Sequence, residues 1–260
     1  MNKLVKILIA AVAAVSAITC SASSWAQQSL KAAGQDIPPW VVHDKSSNAL
    51  SGISVDLITA IAKDAGLQVQ YEVMPIADLI PAVSSGKIDI IATNFAITPE
   101  RTQQVDFTKA FANALPEVVV VLASDTTAYR TLADLKGLPV GAVKGSIQLA
   151  LLQKTGGFSE IKVYDTDRHA WAAVASGAVK AAVTAGTTTT YAAKQGQLTD
   201  LRIVSSYQSP SATPRMGIAV KKGNSELLGK MNNSLARLQA DGTVKAIFSK
   251  YGWDDWQLPE

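Results

Sequence analysis

The stretch that decides the fold reads Ser85-Gly86-Lys87-Ile88-Asp89-Ile90-Ile91-Ala92-Thr93-Asn94-Phe95-Ala96-Ile97-Thr98-Pro99-Glu100-Arg101. Ile88 to Ala92 is a short apolar run of the kind buried on both faces of a sheet. Thr98-Pro99 then marks a helix start. Thr98 is the N-cap, and Pro99 takes the first helical position, where its missing N–H leaves no bond unmade. A buried strand followed by a loop and a helix is the repeating unit of an α/β sheet, and such sheets bind ligands at the carboxyl ends of their strands. Arg101, just inside this helix, falls at such an end. Its guanidinium is a rigid fork that can hold a carboxylate through two parallel hydrogen bonds. The competing reading is a surface arginine paired with Glu100 or Asp106.

Outward from this stretch the same unit recurs. Val55, Leu57, Ile58, Ile61, Ala62 and Ala65 share one helical face, and Gly66 can end that helix. Val69 to Val73 alternates like a strand, and Ile76 to Ser85 reads as a helix. Downstream, strands are predicted at 116–122, 139–143, 161–164, 179–184 and 216–220. Helices are predicted at 132–136, from Gly145-Ser146 to Thr155, and at 167–176, 187–195, 225–240 and up to about Tyr251. The class is therefore α/β with mostly parallel sheets. Strand runs near 116–122 and 215–221 bracket the middle third. They suggest one lobe inserted within another through two crossing strands, a layout suited to hinge closure. The expected lobes are 29–115 with 218–260, and 122–213, connected by strands at 116–121 and 214–217. A single continuous sheet is the alternative.

The first 26 residues read as a signal peptide. Lys3 and Lys6 precede an apolar run from Ile7 to Ile18, and Ser24-Trp25-Ala26 supplies the small residues of a cleavage site after Ala26. Cys20, the only cysteine, follows Thr19, which does not suit lipid attachment, so it is expected to leave with the signal. The remaining chain then has no thiol for staples or catalysis. It keeps 22 Lys and Arg against 21 Asp and Glu, with no basic block, so nucleic acid is not an expected partner. His43 and His169, the two histidines, are too isolated to suggest a metal centre, and no cofactor is expected.

Several motifs in order carry a resemblance. They are Pro38-Pro39-Trp40, Gly52-Ile53-Ser54-Val55-Asp56-Leu57, Leu79-Ile80-Pro81-Ala82, Ser85-Gly86-Lys87-Ile88-Asp89 and Ile97-Thr98-Pro99-Glu100-Arg101. Val105-Asp106-Phe107-Thr108, Leu132-Ala133-Asp134-Leu135-Lys136-Gly137, Gly217-Ile218-Ala219-Val220-Lys221-Lys222-Gly223 and Leu238-Gln239-Ala240-Asp241-Gly242-Thr243 follow. Over essentially the whole chain after residue 26, the sequence resembles the bacterial extracellular solute-binding proteins of family 3, which serve polar amino-acid ABC importers. The resemblance implies the two-lobed type II periplasmic binding fold. It also implies a periplasmic, monomeric, non-enzymatic protein that passes its ligand to an inner-membrane ABC permease.

By the same resemblance, Arg101 holds the ligand's carboxylate and the Gly145-Ser146 turn, with Ile147, clamps it from the second lobe. A helix start there also offers free N–H groups and the positive dipole end, although ordinary capping explains the same residues. Ile37, Trp40, Ile76, Asn94, Phe95, Ala96, Thr184 and Thr187 fall near positions that line the family's pocket. Three departures stand out. Ile37 replaces a stacking tyrosine, Ala96 replaces a hydroxyl residue, and Thr184-Ala185-Gly186 lacks the aspartate that neutralises an ammonium. A buried, unpaired ammonium is expensive. The ligand is therefore expected to be a carboxylate with a less polar body and no obligatory α-ammonium, such as a 2-oxo or aromatic acid; the alternative is an amino acid whose ammonium is served by another acid, Asp36 being the candidate. Two other functions remain open: a cyclohexadienyl dehydratase-like enzyme on the same fold, which needs a general acid in the cleft, and a soluble ligand donor to a chemoreceptor.

Overall fold

The computed structural model describes residues 29–253. The expected signal segment, with Cys20, lies outside the described residues. The chain opens with β1 (Ser29–Gly34) and a hairpin of β2 (Val42–Asp44) and β3 (Ala49–Ser51), followed by α1 (Ile53–Asp64), β4 (Gln68–Val73) and α2 (Ile76–Ser85). Next come β5 (Ile90–Ile91), α3 (Pro99–Thr102), β6 (Val105–Phe107) and β7 (Ala112–Asn113). A second unit follows: β8 (Val118–Leu122), a 3-10 turn at Leu132–Leu135, β9 (Pro139–Val143), α4 (Ile147–Thr155), β10 (Glu160–Tyr164), α5 (Asp167–Ala175), β11 (Ala181–Thr184), α6 (Gly186–Lys194) and β12 (Leu201–Ile203). The chain then returns through β13 (Arg215–Met216) and β14 (Ala219–Lys221) to α7 (Ser225–Ala240) and α8 (Thr243–Lys250).

Two five-stranded sheets result, ordered β4-β1-β5-β14-β6 and β10-β9-β11-β8-β12. They repeat one plan. Three parallel strands sit on one side, and the fourth strand of each sheet runs antiparallel between the third and the fifth. Because β14 closes the first sheet after the second is complete, the second lobe is an insertion within the first. The crossing pair is β7 with β13, where Ala112 faces Met216 and Asn113 faces Arg215. The expected first crossing strand, 116–121, is displaced: its all-valine run Val118–Val121 is buried as β8 inside the second sheet. Continuous apolarity marks a strand covered on both faces, not a connector between lobes.

The first lobe's core forms because α1 buries Ile53, Leu57, Ile58, Ile61 and Ala62 at helical spacing, packing on Leu227, Met231, Leu235 and Leu238 of α7. Each buried Ile, Leu or Met among them contributes roughly 1.5–3 kcal/mol by leaving water. Trp40 completes this core, edge-on to Phe111 and Phe248 at 6.4 and 6.1 Å. In the second lobe Leu149 and Leu152 of α4 pack with Val119, Val121, Val140 and Val183 of the sheet. Of the predicted strand at 88–92 only Ile90–Ile91 forms regular strand; its flanks still bond to β1, Asp89 donating its N–H to the Lys31 carbonyl at 2.8 Å and accepting the Lys31 N–H on its side chain at 2.8 Å. Among the described residues no helix is long and apolar enough to cross a membrane.

Candidate functional site

The carboxyl ends of both sheets converge on one cleft. Each exit delivers a named residue there: Gln35 and Ile37 after β1, Asn94 to Arg101 after β5, Ser146 after β9, Asp167 after β10, and Ala185 after β11. Two adjoining cavities occupy it, one of about 50 Å³ and one of about 330 Å³. The sequence-predicted residues Ile37, Ile76, Asn94, Ala96, Arg101, Ser146, Ile147 and Thr187 all line the smaller one.

Arg101 is placed by the predicted cap: the Thr98 hydroxyl accepts the Arg101 backbone N–H at 3.3 Å. Its guanidinium lies 3.8 Å over the Phe95 ring, which stacks in turn on Phe107. One terminal nitrogen donates to the Ala96 carbonyl at 3.0 Å and the other to the Gly145 carbonyl at 3.2 Å. A guanidinium has five N–H donors, so donors remain for an incoming carboxylate. Arg101 is 8 % exposed, and burial pushes its pKa down to about 10 while Glu100 pulls it up. It stays cationic at neutral pH. It forms no ion pair with Glu100 or Asp106. Asp106 is held by Lys222 instead.

Ser146 is the N-cap of α4, its hydroxyl accepting the Leu149 N–H at 3.1 Å. Gly145 adopts φ +75°, and a Cβ there would lie 2.9 Å from the Cα of Ala77 in α2 across the cleft. Glycine is thus required both by the left-handed backbone and by the approach of the two lobes. A second bridge runs from Gln35 Nε2 to the Asp165 carbonyl at 3.0 Å.

Phe95, Trp40 and Thr184 stand apart from the cavities. Phe95 supports Arg101 from below. Trp40, wholly buried, belongs to the first lobe's core. Thr184 turns into the second lobe, bonded to the Thr189 hydroxyl at 2.9 Å and approached by Trp171 Nε1 at 3.5 Å. Asp36 lines the larger cavity and accepts the His43 N–H at 3.2 Å. Among the described residues no group of His, Cys, Asp or Glu is arranged to hold a metal ion.

Sequence reasoning missed Gln35, Gln148, Trp171 and, above all, Asp167. Asp167 is 8 % exposed and lines both cavities, its carboxyl beside the Ala185 N–H. Burial pushes it up to about 7. From sequence it is the first residue of a helix after the Thr166 cap, a place where acids are ordinary. The usable signal was the absence of any acid at Thr184-Ala185-Gly186, the stretch beside which Asp167 lies.

Residues 31–254 match the bacterial extracellular solute-binding proteins, family 3. The L-arginine-binding protein of Pseudomonas aeruginosa is 31% identical over 211 residues, covering 78% of this chain and 79% of its own. An ancestral arginine-binding protein bound to arginine superposes with a TM-score of 0.78 at 34% identity, covering 86% of this chain and 98% of the other. An ancestral amino-acid-binding protein, a precursor of cyclohexadienyl dehydratase, superposes at 0.76 with 27% identity, covering 86% and 94%.

Proposed function

The chain belongs to the bacterial extracellular solute-binding proteins of family 3, and from that premise we propose that it captures an amino acid or related small carboxylate between its lobes and delivers it to an inner-membrane ABC permease. Arg101 is the observation that carries this reading. It is a buried cation, spread flat on Phe95, at the carboxyl end of β5 and facing the α4 start across a closed-in cavity. A buried guanidinium with unfilled donors calls for an anion of matching shape. The Ser146–Ile147 helix start adds backbone N–H groups on the opposite wall. The lobes would part and close about the β7–β13 pair. Export by a signal cleaved after Ala26, and a monomeric state, belong to the same proposal.

Thermal-shift screening of the mature protein against amino acids, 2-oxo acids and aromatic acids tests it, because a ligand that binds only the folded state raises the melting point. A rise with at least one carboxylate, abolished in Arg101→Ala, supports the reading. No rise with any of them overturns it.

One observation favours a second reading, a dehydratase. Burial raises the Asp167 pKa to about 7, so a protonated fraction persists at neutrality in the cleft, as a general acid requires. On prephenate it would protonate the departing hydroxyl as carbon dioxide leaves. Incubation with prephenate separates the two, since a binding protein leaves it at the uncatalysed rate.

A further inference from the structure

Asp167 is a carboxylate that the fold has buried without supplying a cation. The described ion pairs do not include it. Arg101, on the same small cavity, donates to the Ala96 and Gly145 carbonyls. The Asp167 carboxyl lies beside the Ala185 N–H at the exit of β11, and among the described residues no ion pair reaches it. Taking a carboxylate out of water costs several kcal/mol unless it is paired. A second group in the same region is also unpaired: the Thr188 hydroxyl is buried without a partner and lines the larger cavity.

We propose that Asp167 is a specificity-determining residue that receives the α-ammonium of an L-amino acid whose carboxylate is held by Arg101. This rests on the carboxylate reading above. An α-amino acid carries both charges on one carbon, so its anion and cation sites must open on one small space. Arg101 and Asp167 both line the smaller cavity. Asp167 also lines the larger one, so a ligand anchored at both charges directs its side chain there, past Ile37 and Trp171. The preference for an ammonium-free acid, expected from Thr184-Ala185-Gly186, is then replaced: the acid absent from that stretch arrives from the start of α5.

The experiment is calorimetry with L-arginine, L-glutamine and L-phenylalanine, each against its 2-oxo analogue, on the wild type and on Asp167→Asn. The asparagine keeps the shape and an acceptor for the Ala185 N–H. For the amino acid that binds tightest, the wild type should prefer it at least tenfold over its analogue. Asp167→Asn should bring that ratio to about one, with affinity for the 2-oxo acid within threefold of wild type. A ratio unchanged in Asp167→Asn overturns this inference alone. If neither member of any pair binds the wild type, the carboxylate reading fails, and this inference with it. A second measurement needs no variant. Repeating the titrations at pH 7 in buffers of different ionisation enthalpy should show proton release with the amino acid and none with its 2-oxo analogue. Equal proton release for both overturns the assignment.

Discussion

The guanidinium of Arg101 reaches across the cleft to the carbonyl of Gly145 at 3.2 Å. The donor stands on the first lobe and the acceptor on the turn between β9 and α4 of the second, so one side chain both lines the ligand cavity and ties the lobes together. The bond is charge-assisted, and burial of Arg101 strengthens it. A ligand carboxylate arriving between Arg101 and the α4 start would add its own two bonds to the same fork. Binding and closure are therefore expected to share one residue.

Arg101→Ala removes that residue. Affinity for the tightest ligand should fall by about 2–5 kcal/mol, the range for truncating one partner of a buried, hydrogen-bonded charge pair. Arg101→Lys should recover little, since a point charge cannot reproduce the planar fork or its stacking on Phe95. Folding should hold, because burial of the guanidinium opposes its charge in the empty protein. Calorimetry with the melting curve of each variant checks this; near-normal affinity in Arg101→Ala would refute the role.

Gly145→Ala tests the turn facing Arg101. The added Cβ would sit at φ +75° and 2.9 Å from Ala77 Cα. It strains the turn and pushes α2 and the second lobe apart. The ligand-bound radius of gyration by X-ray scattering should stay near that of the open form, with affinity at least tenfold weaker. Wild-type compaction on ligand addition would show that the turn yields without moving the lobes.

Much of this arrangement was legible because it is local. Thr98-Pro99 and Ser146 announce helix starts by capping chemistry that depends only on neighbours in sequence, and the structure forms both caps. The first crossing strand was expected at 116–121 because Val118–Val121 is conspicuous, whereas β7 is two residues long, too short for any periodicity; the second, expected at 214–217, contains β13. Thr184 and Trp40 were counted toward the cleft by position along the chain, but which face of a strand or loop points inward is settled by packing. Asp167 was invisible for the converse reason. Nothing around it in sequence distinguishes a solvated first-turn acid from one that a neighbouring loop and β11 close over.

Trp40 separates packing from contact. It is wholly buried against Phe111 and Phe248 and lines neither cavity. Trp40→Ala should destabilise by about 3–5 kcal/mol, the usual range for truncating a core aromatic. Trp40→Phe should fold and bind the wild-type ligand within threefold. Urea denaturation and calorimetry on the two variants check this; a tenfold loss of affinity in a well-folded Trp40→Phe would return the residue to the binding surface.

The last prediction uses the sign of the Asp167 shift. Burial raises its pKa to about 7 from an ordinary value of 3.8. Between those values the folded protein holds a proton that the unfolded chain has released. Stability of the ligand-free protein therefore falls as pH rises through this window, with no penalty below about 4 and the full penalty above about 7. Other charged groups line the cavities, namely Asp36, Lys45, Arg101, Asp165, Arg168 and His169, so the wild-type curve alone mixes several contributions. The difference between wild type and Asp167→Asn isolates the one in question. Denaturation at pH 4 should give nearly equal stabilities, and at pH 8 the asparagine variant should be more stable by at least about 1 kcal/mol. An amino acid whose ammonium pairs with Asp167 should offset that penalty, so ligand should stabilise the wild type more than the variant at pH 8. A gap that stays constant from pH 4 to pH 8 would mean that Asp167 ionises without cost, and its claim to a cationic ligand group would go with it.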